Sequence, residues 1–329
     1  MTEVCRSLLR AVKTPGFSPQ ALNELFDGEK VSHLLGFDRN QFTQIRRETA
    51  RKFSFSGVQD KIPLALESNR LVSPGEGRGG YLLKPIPLID GFQQLEDVPA
   101  NEHLTMQIAR QVFGIETAKN ALLLFSDDKP VYLTRRFDIS PATSNKLRQE
   151  DFCQLGERSE QTHGKNFKYD SSYEEAADLI RRYCSSAPVQ LTRYFKLVTF
   201  CYLIGNGDAH LKNFSLIETS DGDFVLSEAY DLLATSLHSP HETRMALDLF
   251  VDHETEFFKV NGFYGRPDFL EFAKRIGVPE LLAVNFLSQI DEKISHVEAM
   301  VRHSFLSAEG KKKYLGIFKD RLLSMKPII

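Results

Sequence analysis

The spacing of the apolar residues changes near the middle of the chain, and this change limits the folds that the chain can adopt. Before about residue 138, apolar runs are short and are bounded or interrupted by polar and turn-forming residues, which predicts strands. The runs are Lys52–Ser56, Ile62–Glu67, Tyr81–Lys84, Ala121–Phe125 and Val131–Leu133. After about residue 173, apolar residues recur mostly at helical spacing. The sequence therefore predicts an α+β fold, with a small β-rich lobe before a larger helical lobe.

Helices and turns refine this division. A helix is predicted among the strands from near Pro99 to Gly114, and a short one over Gln20–Phe26. The later helices are predicted over Tyr173–Cys184, Leu191–Ile204, Pro267–Ile276, Pro279–Phe305 and Gly310–Met325. One hairpin interrupts them, because Asp221-Gly222 joins the short runs 214–218 and 224–226. The length of 329 residues suggests about two domains, predicted at 1–138 and 139–329.

Composition excludes several classes of protein. The net charge of −3 argues against a protein that coats nucleic acid, and no direct nucleic acid binding is expected. No apolar stretch is long enough to predict a membrane span. The first residues carry charges and lack the pattern of a secretory signal. Four widely spaced cysteines predict buried thiols in a reducing compartment. We therefore expect a cytoplasmic protein.

The loop Gly205–Asn213 carries the most informative chemical pattern. Asp208 and Asn213 stand five residues apart, as do the base and the metal-binding amide of the protein-kinase catalytic loop. The following hairpin runs out and back, which would return Asp231 to the loop as a second oxygen ligand for Mg²⁺. Such residues could alone cap helices or form turns. The helix, loop, hairpin and Asp231 together favour phosphoryl transfer.

Phosphoryl transfer also needs cations on the nucleotide phosphates. Lys84 ends an apolar strand, and an unpaired buried charge is costly, so a negative partner is expected. Glu102 is a candidate for that partner, or it could simply favour the helix dipole. His210 is interpreted first as a hydrogen-bonding residue that fixes the loop, with a nucleotide contact as the alternative. Lys212 is either a phosphate contact or a solvated cation.

Two segments compete as the loop that covers the phosphates. Gly75-x-Gly77-x-x-Gly80 matches a dinucleotide pattern, but a strand rather than a helix follows it, so we interpret it as a flexible hairpin. The segment Ser54–Lys61 ends an alternating strand and contains a glycine that permits close backbone approach. Taken alone, such a motif is more commonly explained by ordinary surface serines. The nucleotide-binding residues predicted there are Ser56, Gly57, Val58, Gln59 and Lys61.

In combination these motifs resemble the HipA-type kinases. The resemblance rests on Ser54–Lys61, Tyr81–Pro85, Asn101–His103, Arg136–Asp138, Glu150–Gln154, Gly205–Asn213 and Ala229–Leu233, in the order of the family. It implies a bilobal protein-kinase fold. It also implies an ATP- and Mg²⁺-dependent serine/threonine kinase toxin of a bacterial toxin–antitoxin system. The expected roles are Asp208 as the catalytic base, Asn213 and Asp231 on Mg²⁺, and Lys84 on the phosphates.

Within that family the chain looks most similar to the short HipT kinases of the tripartite HipB–HipS–HipT systems. About 50 residues precede the Ser54–Lys61 segment, fewer than in the usual HipA chain. The likeness implies a HipS-like small protein and a HipB-like DNA-binding antitoxin as partners, and autophosphorylation of Ser54 and Ser56. It implies an aminoacyl-tRNA synthetase as substrate, with tryptophanyl favoured and glutamyl as the alternative. The absence of tryptophan from the chain is compatible with the tryptophanyl enzyme.

Two other functions remain open from the sequence. A small-molecule phosphotransferase of the aminoglycoside-kinase type would use a comparable loop and comparable metal ligands. A catalytically silent kinase-shaped partner in a repressor complex would have no physical need for all four of Lys84, Asp208, Asn213 and Asp231. His238, His241 and His253 are interpreted as surface histidines rather than as a metal site, because no thiol or carboxylate completes a ligand set.

Overall fold

The computed structural model describes residues 3–50, 60–74, 79–140 and 145–326. The strands in these ranges are β1 (Glu3–Val4), β2 (Ala11–Val12), β3 (Ile62–Glu67), β4 (Arg70–Val72), β5 (Tyr81–Pro85), β6 (Asn120–Leu124), β7 (Pro130–Arg135), β8 (Gln149–Asp151), β9 (Ser215–Glu218) and β10 (Phe224–Leu226). The helices are α1 (Pro19–Phe26), α2 (Arg39–Ala50), α3 (Val98–Gln111), α4 (Phe152–Leu155), α5 (Glu160–His163), α6 (Tyr173–Tyr183), α7 (Ala187–Leu203), α8 (Glu256–Asn261), α9 (Arg266–Arg275), α10 (Glu280–Ser288), α11 (Ile294–His303) and α12 (Ala308–Ser324). The predicted α+β class is confirmed.

Five antiparallel strands form the main sheet, in the order β4-β3-β5-β7-β6. The predicted hairpin of β6 and β7 is confirmed. The prediction of a hairpin at the glycine-rich segment before β5 is wrong. The strands on either side of that segment, β4 and β5, lie on opposite sides of β3 and do not pair with each other. The tight turn lies instead between β3 and β4, at Ser68 and Asn69, whose φ angles are 50° and 64°.

Side-chain alternation along the central strands divides the sheet between two cores. Leu83, Leu123 and Leu133 belong to one core, which also contains residues of α1 and α2. Leu122 and Tyr132 belong to the other, which contains α3 and continues into the helical lobe. Because Lys84 follows Leu83 in β5, its side chain points toward the face that α3 covers.

Helix α7 lies at the centre of the second lobe. Residues on all its sides are buried along most of its length, and α6, α10 and α12 pack against it. The predicted hairpin after α7 is confirmed as β9 and β10, with Gly222 at a φ of 83° in the turn. Strand β8 adds a third strand beside β9, which the sequence pattern does not predict. The hairpin thus follows the loop that leaves α7.

Four of the predicted long helices are confirmed to within a few residues as α6, α7, α9 and α12. The prediction of one helix over Pro279–Phe305 is wrong, because the chain turns between α10 and α11. Ile290 is buried at this turn, and Phe286 and Val297 pack into the same core from either side of it. The break allows both helices to bury their apolar faces. The short helix expected over Gln20–Phe26 is confirmed as α1.

The four cysteines are buried and form no disulfide, as predicted. In the described parts of the chain, no helix has both the length and the apolar composition that crossing a bilayer requires. His238 differs from its prediction as a surface residue, since it is only 1% exposed. Its ring contacts Asn101 Nδ2 and the Gln93 carbonyl, both at 2.9 Å. This histidine therefore belongs to the core between α3 and the second lobe.

Candidate active site

Lys84 lies at the junction of the sheet and α3. It pairs across the strands with Tyr132, and its ammonium is 5.5 Å from the centroid of that ring. Only 5% of Lys84 is exposed. Its Nζ donates to Glu102 Oε1 on α3 at 2.7 Å and also to Asp231 Oδ1. The structure thus joins the predicted nucleotide-binding lysine, its candidate partner Glu102 and the predicted metal ligand Asp231, which is 147 positions away from Lys84.

The charges in this cluster stabilise one another. Burial alone would lower the pKa of Lys84, but attraction to Asp231 and Glu102 outweighs it and raises the pKa. Burial would raise the pKa of Asp231, yet Lys84 and Lys61 hold it below its ordinary value. Burial raises the pKa of Glu102 to about 7 against the attraction of Lys84. Lys84 and Asp231 are therefore an ion pair at neutral pH.

The backbone around Asp231 is fixed from two sides. On one side, Ala229 N donates to Glu116 O at 2.8 Å, and Ala118 N donates to Ala229 O at 3.0 Å. On the other side, the Asn101 side chain both donates to Ala234 O and accepts from Ala234 N, at 2.9 and 3.0 Å. Asp231 itself has a φ of 54°, which non-glycine residues rarely adopt. The neighbouring contacts hold this unusual conformation in place.

The loop Gly205–Asn213 leaves α7 in a conformation that requires its glycines. Gly205 has a φ of 68°, and a Cβ there would lie 2.5 Å from the Ile317 side chain. A Cβ on Gly207 would lie 2.5 Å from the Thr243 carbonyl oxygen. Gly207 N also donates to the Thr235 hydroxyl at 2.7 Å. The segment after Asp231 therefore packs directly against the backbone of the loop.

Asp208 is the most open acid of the site. Half of its side chain is exposed, and Tyr169 donates its phenolic hydrogen to Asp208 Oδ1 at 2.5 Å. His210 Nε2 lies 3.9 Å from the same oxygen. Burial lowers the pKa of His210, and the charges of Asp208 and Asp231 only partly oppose this effect. His210 is therefore neutral at neutral pH and lies within electrostatic reach of both acids.

The remaining loop residues are held locally. His210 N donates to Asn213 Oδ1 at 3.1 Å, so Asn213 closes the short turn at the end of the loop. His210 Nδ1 is buried and has no hydrogen-bond partner among the described residues. Lys212 Nζ pairs with Asp151 Oδ2 at 3.2 Å. Of its two predicted roles, phosphate contact and solvated cation, the second is therefore wrong.

Five of the predicted phosphate-loop positions lie outside the described residues, namely Ser54, Ser56, Gly57, Val58 and Gln59. Lys61 is described and immediately precedes β3. Burial lowers the pKa of Lys61, while Asp231 and Glu102 act in the opposite direction. Lys61 therefore adds a second positive charge near the Lys84 cluster.

The oxygen donors present suit a magnesium nucleotide. Mg²⁺ usually takes one or two protein carboxylates together with phosphate oxygens. Asp231 supplies such a carboxylate, and Asn213 an amide oxygen. In the described ranges, no three His, Cys, Asp or Glu side chains form a ready-made metal cluster. Donors of this kind fit an ion that binds together with its nucleotide better than an ion caged by protein alone.

Three residues near the loop were not given roles from the sequence: Tyr169, Asp151 and Glu242. Glu242 accepts hydrogen bonds from Thr235 and Ser236 beside Gly207. Asp151 belongs to a motif that carries the family resemblance, so that motif was a usable signal. Tyr169 lies on an irregular segment 39 residues before Asp208, where neither spacing nor periodicity marks it.

Comparisons with known proteins agree with this geometry. The HipA-like C-terminal domain family matches residues 53–300. A Haemophilus influenzae protein with a provisional kinase name is 26% identical over 338 residues, which cover 97% of this chain and 96% of that protein. The serine/threonine-protein kinase toxin HipA of Shewanella oneidensis is 24% identical over 289 residues, covering 83% of this chain and 63% of the toxin.

Two solved structures share the fold. The Shewanella oneidensis HipA, solved with HipB and operator DNA, matches with a TM-score of 0.60 at 19% identity and covers 83% of this chain and 64% of that one. The Helicobacter pylori proinflammatory kinase CtkA matches with a TM-score of 0.55 at 15% identity and covers 83% and 90%. The predicted bilobal kinase-like fold is confirmed. With three quarters of its length matched by the family, the chain belongs to the HipA-like kinases.

Proposed function

We propose that this chain transfers the γ-phosphate of ATP to a serine or threonine hydroxyl of a protein. The observation that carries the proposal is the cluster in which the buried Lys84 and Glu102 meet the part-exposed Asp231. A lysine held by one helical glutamate and facing a metal-binding aspartate is the arrangement that kinases use to bind nucleotide phosphates. The loop that carries Asp208 supplies the remaining part, a carboxylate open to an incoming hydroxyl.

Each side chain then has one task. Lys84 and Lys61 bind phosphate oxygens, and Ser56, Gly57, Val58 and Gln59 supply the loop above them. Bound Mg²⁺, held by Asp231 and Asn213, would neutralise charge on the β- and γ-phosphates.

The catalytic loop completes the site. Asp208 orients the acceptor hydroxyl and takes its proton. His210, which is neutral, and Lys212, paired with Asp151, shape the loop and remain candidates for nucleotide contacts.

The proposed biological role is that of the toxin in a toxin–antitoxin system. The HipA relative was solved with HipB and operator DNA, which supports a HipB-like antitoxin as a partner for this chain. We further propose a HipS-like small protein as a second partner. The proposed substrate is an aminoacyl-tRNA synthetase, tryptophanyl before glutamyl. Ser54 and Ser56 are the proposed sites of autophosphorylation.

The test is transfer of labelled phosphate from ATP with Mg²⁺ by the purified full chain, offered tryptophanyl- and glutamyl-tRNA synthetases and, separately, aminoglycosides. We expect label on a synthetase serine or threonine and on the chain itself, mapped by mass spectrometry. Asp208→Asn should remove the label, whereas Asp221→Asn in the exposed hairpin turn should not. Label on an aminoglycoside alone would establish the small-molecule enzyme. No transfer to any acceptor, with toxicity retained, would establish the silent binding partner.

Autophosphorylation has its own test. A phosphate adds close to two negative charges beside the triphosphate. We therefore expect Ser54→Asp/Ser56→Asp to weaken ATP binding and to lower substrate phosphorylation, measured by titration calorimetry and by label transfer. Ser54→Ala/Ser56→Ala should retain ATP binding while losing its own label. Equal ATP affinity in the aspartate and alanine variants would contradict self-inhibition by these serines.

A further inference from the structure

The side chain of Asp208 is held at one of its two oxygens. Tyr169 donates to Oδ1 at 2.5 Å, and His210 Nε2 lies 3.9 Å from that same atom. In the part of the chain that the structure describes, Oδ2 has no hydrogen-bond partner. Half of the Asp208 side chain is exposed, so little packing restricts its rotation. The phenol of Tyr169 is therefore the main contact that defines where Oδ2 points.

Tyr169 is itself anchored to the loop that it contacts. Its neighbour Lys168 accepts a hydrogen bond through its carbonyl from Leu211 N at 3.1 Å. The backbone of Tyr169 donates to Asn166 O at 2.8 Å. The phenol ring meets the His210 ring edge-on, with 5.2 Å between centroids. Because both the backbone and the ring of Tyr169 are held by these contacts, its hydroxyl can keep Asp208 in a fixed orientation.

We infer that Tyr169 is a positioning residue of the phosphoryl-transfer reaction, which orients Asp208 so that Oδ2 receives the proton of the acceptor hydroxyl. The inference rests on the proposed function. In the reaction, the acceptor oxygen forms its bond to the γ-phosphorus as the bond to the β–γ bridging oxygen of ATP breaks. ADP leaves, and the acceptor proton passes to Asp208. Tyr169 exchanges no proton or bond in this step.

The protonation of Tyr169 supports this role. Burial and the neighbouring carboxylate of Asp208 raise the pKa of the phenol, so it remains a donor at every pH at which the enzyme would work. A carboxylate that accepts a fixed hydrogen bond at one oxygen retains lone pairs on the other. Fixing the direction of a general base matters because small displacements of catalytic groups slow a reaction strongly.

The test compares Tyr169→Phe with Tyr183→Phe in the full chain. Both tyrosines are 36% exposed, so each variant loses one hydroxyl at equal accessibility. We expect Tyr169→Phe to lower kcat roughly 10-fold to 100-fold, while KM for ATP and the melting temperature stay within error. Tyr183→Phe should match the wild type in all three. The split between kcat and KM separates positioning from a structural effect, which would also change nucleotide affinity or melting.

The outcomes are distinct. An unchanged kcat in Tyr169→Phe, with Asp208→Asn inactive, would overturn the role of Tyr169 and leave the proposed function standing. A raised kcat would also overturn it, because the phenol would then be blocking the acceptor position. A parallel fall in kcat, ATP affinity and melting temperature would assign Tyr169 a structural role instead. Full activity of Asp208→Asn would overturn the proposed function itself.

Discussion

The two ends of the candidate active site are built in opposite ways. At the phosphate end, Lys84 and Glu102 are 5% and 1% exposed, and their charges are paired within the protein. At the acceptor end, Asp208 keeps half of its side chain in solvent, and that side chain accepts one hydrogen bond among the described residues, from Tyr169. Burial strengthens electrostatic interactions and makes each of them costly to break. Exposure leaves a carboxylate accessible to a large acceptor. We propose that the difference separates residues that also support the fold from a residue that serves only the reaction.

The largest expected effect tests the exposed end. Asp208→Asn should lower phosphoryl transfer by about 10²–10⁴, because it removes the proton acceptor. The free energy of unfolding should change by no more than about 0.5 kcal/mol, since the residue is half exposed. Label transfer and urea unfolding measure the two quantities. A large loss of stability would break the comparison, because Asp208 would then support the fold as the buried cluster does.

The matching test at the buried end is Lys84→Met. It leaves Glu102 and Asp231 without their shared cation, so the free energy of unfolding should fall by about 3–5 kcal/mol. The double variant Lys84→Met/Asp231→Asn should recover part of that loss, because Glu102, whose pKa is about 7 even beside the lysine, takes up a proton once the lysine is gone, whereas Asp231 would keep an unpaired charge. Neither variant should transfer phosphate, because both lack Lys84. Urea unfolding of the two variants beside the wild type checks this. Wild-type stability in Lys84→Met would mean that the cluster serves nucleotide binding alone.

A smaller effect is expected at Asn101, which joins α3 to the segment after Asp231. Asn101→Ala leaves both backbone groups of Ala234 without this partner, at a cost of about 1–3 kcal/mol. We expect a lower melting temperature and weaker ATP binding, since Asp231 loses one of its two backbone anchors. Asn261→Ala is the control, because its exposed side chain bonds the carbonyl of Phe257 in its own helix and has no other partner among the described residues. Similar losses in both variants would contradict a special role for Asn101.

The smallest effect concerns His103, beside Glu102 on α3. Burial lowers its pKa to about 4, so the folded protein binds this proton less tightly than the unfolded chain does. The corresponding stability is complete above about pH 6.5 and is lost as the pH falls toward 4. At pH 5 the loss should be about 2 kcal/mol. His103→Gln should lose less stability than the wild type between pH 7.5 and pH 5 in urea unfolding. Equal losses of stability in the variant and the wild type would show that water reaches the core around α3, where the charges of the Lys84 cluster are held by burial.

The sequence predicts the residues of the site that belong to local motifs, but not the distant residues that hold them in place. The apolar strand that ends at Lys84 predicts a buried cation that needs a negative partner, and a five-residue spacing marks Asp208 and Asn213. The bond between Asn101 and Ala234 joins positions 133 residues apart and leaves no local pattern. Tyr169 lies on an irregular segment that only the folded chain brings to the loop. Such contacts depend on tertiary packing, which periodicity does not record.

The difference between local patterns and long-range contacts also explains the errors in the predicted secondary structure. The region around β4 was missed because three residues are too few to show alternation. Strand β8 has the sequence Gln149-Glu150-Asp151, with no apolar residue, and forms only because β9 offers an edge. The break between α10 and α11 leaves the apolar spacing nearly continuous, so the pattern alone predicted one helix. In each case a long-range partner determines the local structure.

The left-handed backbone at Asp231 determines which substitutions at this position can be interpreted. Asparagine tolerates that conformation and has the same shape, so Asp231→Asn removes a charge without disturbing the chain trace. Alanine would add a conformational cost of about 1–2 kcal/mol to the loss of the carboxylate. An inactive alanine variant would therefore confuse a misplaced loop with a missing metal ligand. A mutational scan of this chain that used alanine alone would overstate the chemistry at this position.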